Sequence, residues 1–191
     1  MDRDERGRDA ITAVRKAILD GNIVAIKGIG GFHLCCDARN EKAVSTLRKR
    51  KGRPVKPFAV MMKDLDAVRR ECVIPDGAED VLDGHQKPII LLAKGEGLTL
   101  APSVAPGNPS IGVMLPYTPL HLLLFTYDDG LTMPDSLVMT SANESARRSA
   151  TTTMKRGRNL RGSPTSSCPI IVASAFGPTT RSWIGTTANP I

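Results

Sequence analysis

The sequence predicts an α/β domain, and three observations carry that prediction. Short, β-branched apolar runs alternate with stretches of helical spacing, the runs are continuous enough for strands covered on both faces, and glycine or proline marks the junctions. At 191 residues, 41% apolar and 24% charged, the chain suits one module with a buried core rather than a disordered polymer. No run approaches the roughly 18 apolar residues of a membrane span, and the opening Met1-Asp-Arg-Asp-Glu-Arg6 is too charged for a secretory signal. A cytoplasmic protein is expected.

The elements follow in order. Asp9 opens a helix with Ile11, Val14, Ile18 and Leu19 on one side, and Gly21 stands where a C-cap glycine belongs. Ile23 to Ile26 reads as a strand entering the glycine turn Lys27-Gly-Ile-Gly-Gly31, followed by an apolar strand that holds Cys35 and Cys36. Asn40 caps a second helix through Val44 and Leu47, which ends near Gly52-Arg-Pro54. Phe58–Met62 is a strand and Asp64–Arg70 a helix; Pro88–Leu92, Ile111–Leu115 and Leu137–Thr140 are further buried strands, with a helix from Thr118 to Phe125. After Ser145 this grammar stops: the last 47 residues hold 15 Ser or Thr, no acid and no sustained period.

Charge is distributed just as unevenly. The net +7 suggests a nucleic-acid binder, yet residues 1–144 carry 19 basic and 19 acidic side chains, and the excess is the seven Arg or Lys of the tail. Cys35, Cys36, Cys72 and Cys168 form no C-x-x-C pair, so buried thiols are expected, with neither disulfide nor metal.

Three segments can carry chemistry. Arg48-Lys-Arg-Lys51-Gly-Arg53-Pro-Val-Lys56-Pro57 puts six cations in nine positions, and Pro54 and Pro57 keep its second half extended, which suits a polyphosphate. The competing reading is a basic helix end complementing its dipole. The turn Lys27–Gly31 before His33 lets a ligand approach the backbone but lacks the spacing of a phosphate loop, and His33 serves equally as a half-buried structural residue. His121 in an apolar helix and His85 beside a loop read as structural. Thr140-Ser141-Ala142-Asn143 closes a strand at the edge where open α/β sheets place ligands, or is simply a turn.

Taken together, Lys27–Asp37, Lys51–Met61, Leu100–Pro106, Gly112–His121 and Val138–Asn143 resemble, in that order, the YrdC-like domain of the hydrogenase-maturation carbamoyltransferases HypF. The likeness covers residues 9–145 and sets the domain at 1–145. The threonylcarbamoyl-adenylate synthases share the K-x-R arm and S-x-N turn, while the Gly-Gly-Phe-His-Leu and Pro-Tyr-Thr-Pro-Leu-His blocks favour HypF. The resemblance implies a twisted mixed sheet with flanking helices and a concave basic cleft that joins ATP to a carbamoyl unit, supplied as carbamoyl phosphate or carbamate. It implies that Lys51, Arg53 and Lys56 hold the triphosphate and act catalytically, and that Ser141 and Asn143 hold nucleotide. Gly30, Gly31 and His33 line the carbamoyl end. Mg²⁺ would arrive on the nucleotide, the pathway partner would be HypE, and double-stranded RNA is the alternative ligand of such domains.

In the resembled family the turn at Ser141 runs into an acidic helix, a His-Asn-Arg block and an Asp-Asp-Ser-Val block, none of which occurs in frame here. Read one base back, Thr151–Met154 allow Tyr-Asp-Asp-Asp, Met154-Lys155 forces Glu, Pro169–Val172 allow His-Asn-Arg, and Pro178–Ser182 allow Ala-Asp-Asp-Ser-Val. Residues 146–191 are therefore expected to be a frameshifted, poorly ordered tail that joins no sheet, leaving a fragment with little activity.

Overall fold

A computed structural model of the chain describes residues 8–29, 31–142 and 170–173. Its elements are α1 (Arg8–Leu19), β1 (Ile23–Lys27), β2 (Phe32–Asp37), α2 (Glu41–Arg50), β3 (Ala59–Met62), α3 (Leu65–Glu71), β4 (Cys72–Val73), α4 (Ala78–Asp83), β5 (Ile90–Lys94), a 3₁₀ turn (Pro102–Val104), β6 (Ser110–Met114), α5 (Pro119–Thr126), β7 (Ser136–Ser141) and β8 (Ile170–Ala173). The strands form one sheet in the order β4-β5-β6-β3-β7-β2-β1-β8. It is mixed, because β3 runs parallel to β6 and β1 to β8 while the other neighbours are antiparallel.

Period-2 alternation sends the strand side chains into two cores. Ile23, Ala25, Leu34, Cys36, Val60, Met62 and Val138 pack with Val44 and Leu47 of α2 and Val68 of α3. Val24, Ile26, Cys35, Met61, Leu137 and Met139 pack on the other face with Val14 and Ile18 of α1 and Leu120 and Leu124 of α5. Cys35, Cys36 and Cys72 are buried free thiols. Among the described residues no helix is long and apolar enough to cross a membrane.

The helix ends obey the local chemistry of the sequence. Asn40 Oδ1 accepts from Ala43 N at 3.1 Å, Asp64 Oδ1 from Ala67 N at 2.8 Å, and Thr118 Oγ1 from His121 N at 3.2 Å, each answering one of the donors a helix start leaves unpaired. Gly21, at φ 79°, closes α1 with Asn22 N donating to Ala17 O at 2.9 Å. Arg15 is buried on α1 and donates to Asp129 Oδ1 at 2.7 Å, Leu131 O at 2.7 Å and Tyr127 O, which ties α1 to the loop after α5.

Two expectations are corrected. The strand expected at Pro88–Leu92 runs over Ile90–Lys94 and is covered on one face only: Leu91 is 72% and Ile89 57% exposed, since the helices of the second layer lie over the other half of the sheet. The segment beyond residue 145 does contribute a strand. Residues 170–173 pair in parallel with β1, from Ile23↔Ile170 to Ile26↔Ala173. A β-branched Ile-Ile-Val run has strand propensity, and the outer edge of β1 offers it a row of backbone donors and acceptors. The sheet therefore does not end with the domain boundary set at 145; the rest of 146–191 and the frame reading built on it lie outside the described residues.

Leu124 and Leu122 test how α5 sits on the sheet. Leu124 is fully buried and Leu122 is 51% exposed. In urea denaturation Leu124→Ala is expected to cost about 2–5 kcal/mol, and Leu122→Ala to stay within about 0.5 kcal/mol. Equal costs would mean that α5 is rotated about its axis.

Candidate functional site

The basic arm starts where α2 is forced to stop. Gly52 takes the left-handed conformation at φ 56°, Gly52 N donates to Lys49 O at 3.1 Å and Arg53 N to Arg48 O at 3.2 Å, so a Schellman turn ends the helix and throws Arg53 off its axis. Arg53 Nη1 then lies 3.3 Å from Thr140 Oγ1, and Lys51 Nζ donates to Ser141 O. Both cations thus meet the end of β7. Lys56 is exposed and joins the arm through its carbonyl.

Arg48 behaves unlike its neighbours. It is 8% exposed, and its guanidinium donates to Ser103 O at 2.9 and 2.6 Å, Val104 O at 3.2 Å, Arg53 O at 2.6 Å and Lys56 O at 3.1 Å. It also stacks 4.6 Å above the buried Phe58 ring, with Arg53 at 5.4 Å from the same ring. Neither a polyphosphate contact nor a helix end complementing its dipole describes this buried residue. Burial lowers the proton affinity of Arg48, Lys51 and Arg53, and the Arg53 charge lowers it further at Arg48 and Lys51; Glu41 opposes this at Arg48. Arg53 Nε is a buried donor without a partner among the described residues.

The second wall comes from β2. Cross-strand pairing sets His33 opposite Ser141, and Gly28 N donates to Gly31 O at 2.7 Å to close the turn before β2. A Cβ on Gly28 would lie 2.7 Å from His33 Nε2, so glycine is needed there for the imidazole to fold back over the turn. His33 Nε2 sits 3.3 Å from Tyr117 OH. His121 lies edge-on to Tyr117 at 4.5 Å and to His33 at 6.2 Å, fully buried, with neither ring nitrogen paired among the described residues. Burial first, and then the neighbouring His33, lowers the His121 pKa to about 4; burial lowers that of His33 and raises that of Tyr117.

Of the residues singled out from the sequence, Lys51, Arg53, Ser141, Gly31 and His33 gather at this end of the sheet. Gly30 and Asn143 lie outside the described residues. Sequence reasoning placed Arg48 in the basic run and Thr140 in the strand-closing segment without giving either a role in the site, and it read His121 as a structural residue without seeing that it backs His33. A cavity of about 460 Å³, lined by Lys63, Asp66, Arg69, Lys87 and Leu115, opens beyond the far ends of β3 and β6, and none of the candidate residues lines it.

The family model described as "Telomere recombination", that of Sua5, YciO and YrdC, matches residues 16–165. The chain belongs to this family. Its YrdC-like region is of the HypF kind. HypF of Synechocystis sp. is 54% identical over 105 residues, covering 54% of this chain and 14% of the relative; HypF of Rhodobacter capsulatus is 44% identical over 135 residues, covering 71% and 17%. A structure of full-length HypF in its phosphate- and nucleotide-bound form matches with TM-score 0.67 and 44% identity over 76% of this chain and 19% of that one. The L-threonine complex of P. abyssi Sua5 matches with TM-score 0.61 over 73% of this chain and 40% of that one; at 23% identity it speaks for the fold alone. The chain thus spans 14–18% of the length of the curated HypF relatives.

The pH dependence of this HypF-type domain should carry the mark of His121. Its folded pKa of about 4 lies below the ordinary 6.5, so the unfolded chain binds more protons between these values. Stability is full above pH 6.5 and is lost as pH falls toward 4, by up to about 3 kcal/mol from this one group. Urea midpoints measured from pH 7.5 to 4 are expected to fall less steeply in His121→Leu than in the unaltered chain. Parallel slopes would place the buried imidazole elsewhere.

Proposed function

We infer that this domain binds ATP through its basic arm and serves carbamoyl-adenylate formation in HypF-type carbamoyl transfer, within hydrogenase maturation. The observation that carries the reading is the cluster of Lys51 and Arg53 at the end of β7, partly desolvated and mutually repelling. A polyphosphate relieves the repulsion, and a charge-assisted bond contributes about 1.5–3 kcal/mol. The HypF relatives at 44–54% identity and the nucleotide-bound HypF structure support the same reading.

In the reaction a carbamate oxygen attacks the α-phosphorus of ATP, the bond to the β-phosphate bridging oxygen breaks, and pyrophosphate leaves with that electron pair. Lys51, Arg53 and Lys56 hold the triphosphate and offset charge that grows on the departing pyrophosphate, Ser141 and Asn143 hold the nucleotide, and Gly30, Gly31 and His33 bound the carbamoyl unit. Catalysis is then positioning and electrostatics. Mg²⁺ travels on the phosphates. Carbamate would come from carbamoyl phosphate by hydrolysis, and delivery to HypE belongs to a longer HypF-type polypeptide. A duplex RNA is the competing ligand for the arm, disfavoured by the zero net charge of residues 1–144.

Calorimetry with ATP tests the binding half: Arg53→Ala is expected to weaken it by about 1.5–3 kcal/mol. Pyrophosphate release from ATP with carbamoyl phosphate and an acylphosphatase tests the chemistry, with this chain expected to turn over little beside a version read in the alternative frame after residue 145. Comparable turnover by the two would show the tail to be dispensable. No ATP affinity, together with tight duplex RNA binding, would favour the other ligand.

A further inference from the structure

Arg48 makes more contact with the backbone than any role as a surface cation requires. Its five hydrogen bonds reach two segments that are remote from each other in sequence: the 3₁₀ turn, through Ser103 O and Val104 O, and the arm, through Arg53 O and Lys56 O. The turn is itself held from other sides. Glu41 of α2 accepts from Ser103 N at 3.0 Å and from Ser103 Oγ, Phe58 N donates to Val104 O at 2.9 Å, and Ala101 N donates to Ala38 O at 2.9 Å. The turn is thus a fixed rail, and Arg48 hangs the arm from it.

Three features make this specific to a guanidinium. Only a planar fork reaches carbonyls on two sides at once, while the face of the same group covers Phe58. An ammonium keeps the charge but cannot span both segments. The carbonyls so engaged belong to Arg53 and Lys56, whose side chains are assigned to phosphate. Fixing those two carbonyls fixes the backbone from which the side chains project, so the loop is ordered before ligand arrives and less ordering cost falls on binding.

We propose that Arg48 and the Ala101–Ala105 turn form a clasp that presets the phosphate-binding arm, with Arg48 as a positioning residue of that site. The proposal rests on the reading of the arm as a nucleotide site and deepens it. Within the clasp, the Leu100–Pro106 motif serves to present carbonyls to Arg48. Nothing in the clasp touches ligand.

The experiment uses the full chain carrying Arg48→Lys, with Arg48→Ala and Arg53→Ala alongside, each studied at a temperature where circular dichroism shows it folded. Residue-resolved amide exchange reads the arm through Gly52, Arg53 and Phe58, and the sheet through Val60 and Val138; calorimetry reads ATP affinity. Arg48→Lys is expected to leave the sheet amides unchanged, to speed exchange at the arm amides about tenfold or more, and to weaken ATP binding about tenfold, or about 1.4 kcal/mol. Unchanged arm exchange overturns the clasp, as does faster arm exchange with unchanged ATP affinity. Should Arg48→Ala fail to fold, the lysine variant alone decides. Arg53→Ala separates the two readings: if it weakens ATP binding and Arg48→Lys does not, the clasp is wrong and the nucleotide site stands. If Arg53→Ala and the unaltered chain bind ATP equally poorly, the nucleotide reading falls and takes the clasp's role with it.

Discussion

The antiparallel register of β2 against β7 is the constraint on which the site depends. It pairs His33 with Ser141 and Leu34 with Thr140. Because side chains alternate across a sheet, the first pair belongs to the face of α1 and α5 and the second to the face of α2. Thr140 therefore meets Arg53 from the arm that follows α2, while His33 meets Tyr117 at the start of α5. A one-residue slip of β7 would turn Thr140 away from Arg53 and Leu137 and Met139 away from the core they share with Leu124, and a slip of β2 would do the same to His33 and Cys35. Burial of both faces forbids either slip, so the site inherits its geometry from core packing.

Electrostatics then divides the basic run into residues with different work. Arg48 has its charge answered by four carbonyl oxygens and an aromatic face, a satisfied and buried arrangement. Lys51 and Arg53 are partly desolvated beside one another at the end of β7, where burial and mutual repulsion favour an anion. The same stretch of sequence thus holds a buried structural cation behind the loop and partly exposed cations in front of it. On the other wall, burial lowers the proton affinity of both His33 and His121, and His33 lowers that of His121 further.

Much of this was legible in the sequence wherever the chemistry is local. Asn40 caps the helix it was expected to cap, Gly21 closes α1, and the apolar runs fall on strands, because capping and period-2 burial depend on residues a few positions apart. Arg48 was not legible, since it looks like its basic neighbours and its partners Ser103 and Val104 lie 55 and 56 residues away. The exposure of Leu91 was hidden for the same reason: an apolar strand does not reveal which of its faces lacks a helix. Pairing of residues 170–173 with β1 depends on an open strand edge that only the assembled sheet supplies. The His33–Tyr117–His121 group needed α5 laid across the sheet before three rings in two motifs became one wall.

The most direct test of a nucleotide site on the basic arm follows backbone amide chemical shifts of the full chain during titration with Mg²⁺-ATP. The largest saturable shifts are expected to fall on Gly52, Arg53, Thr140 and Ser141, with smaller ones at Gly31 and His33. Shifts concentrated at Lys63, Asp66 and Lys87, around the cavity beyond the far ends of β3 and β6, with the arm unmoved, would contradict it.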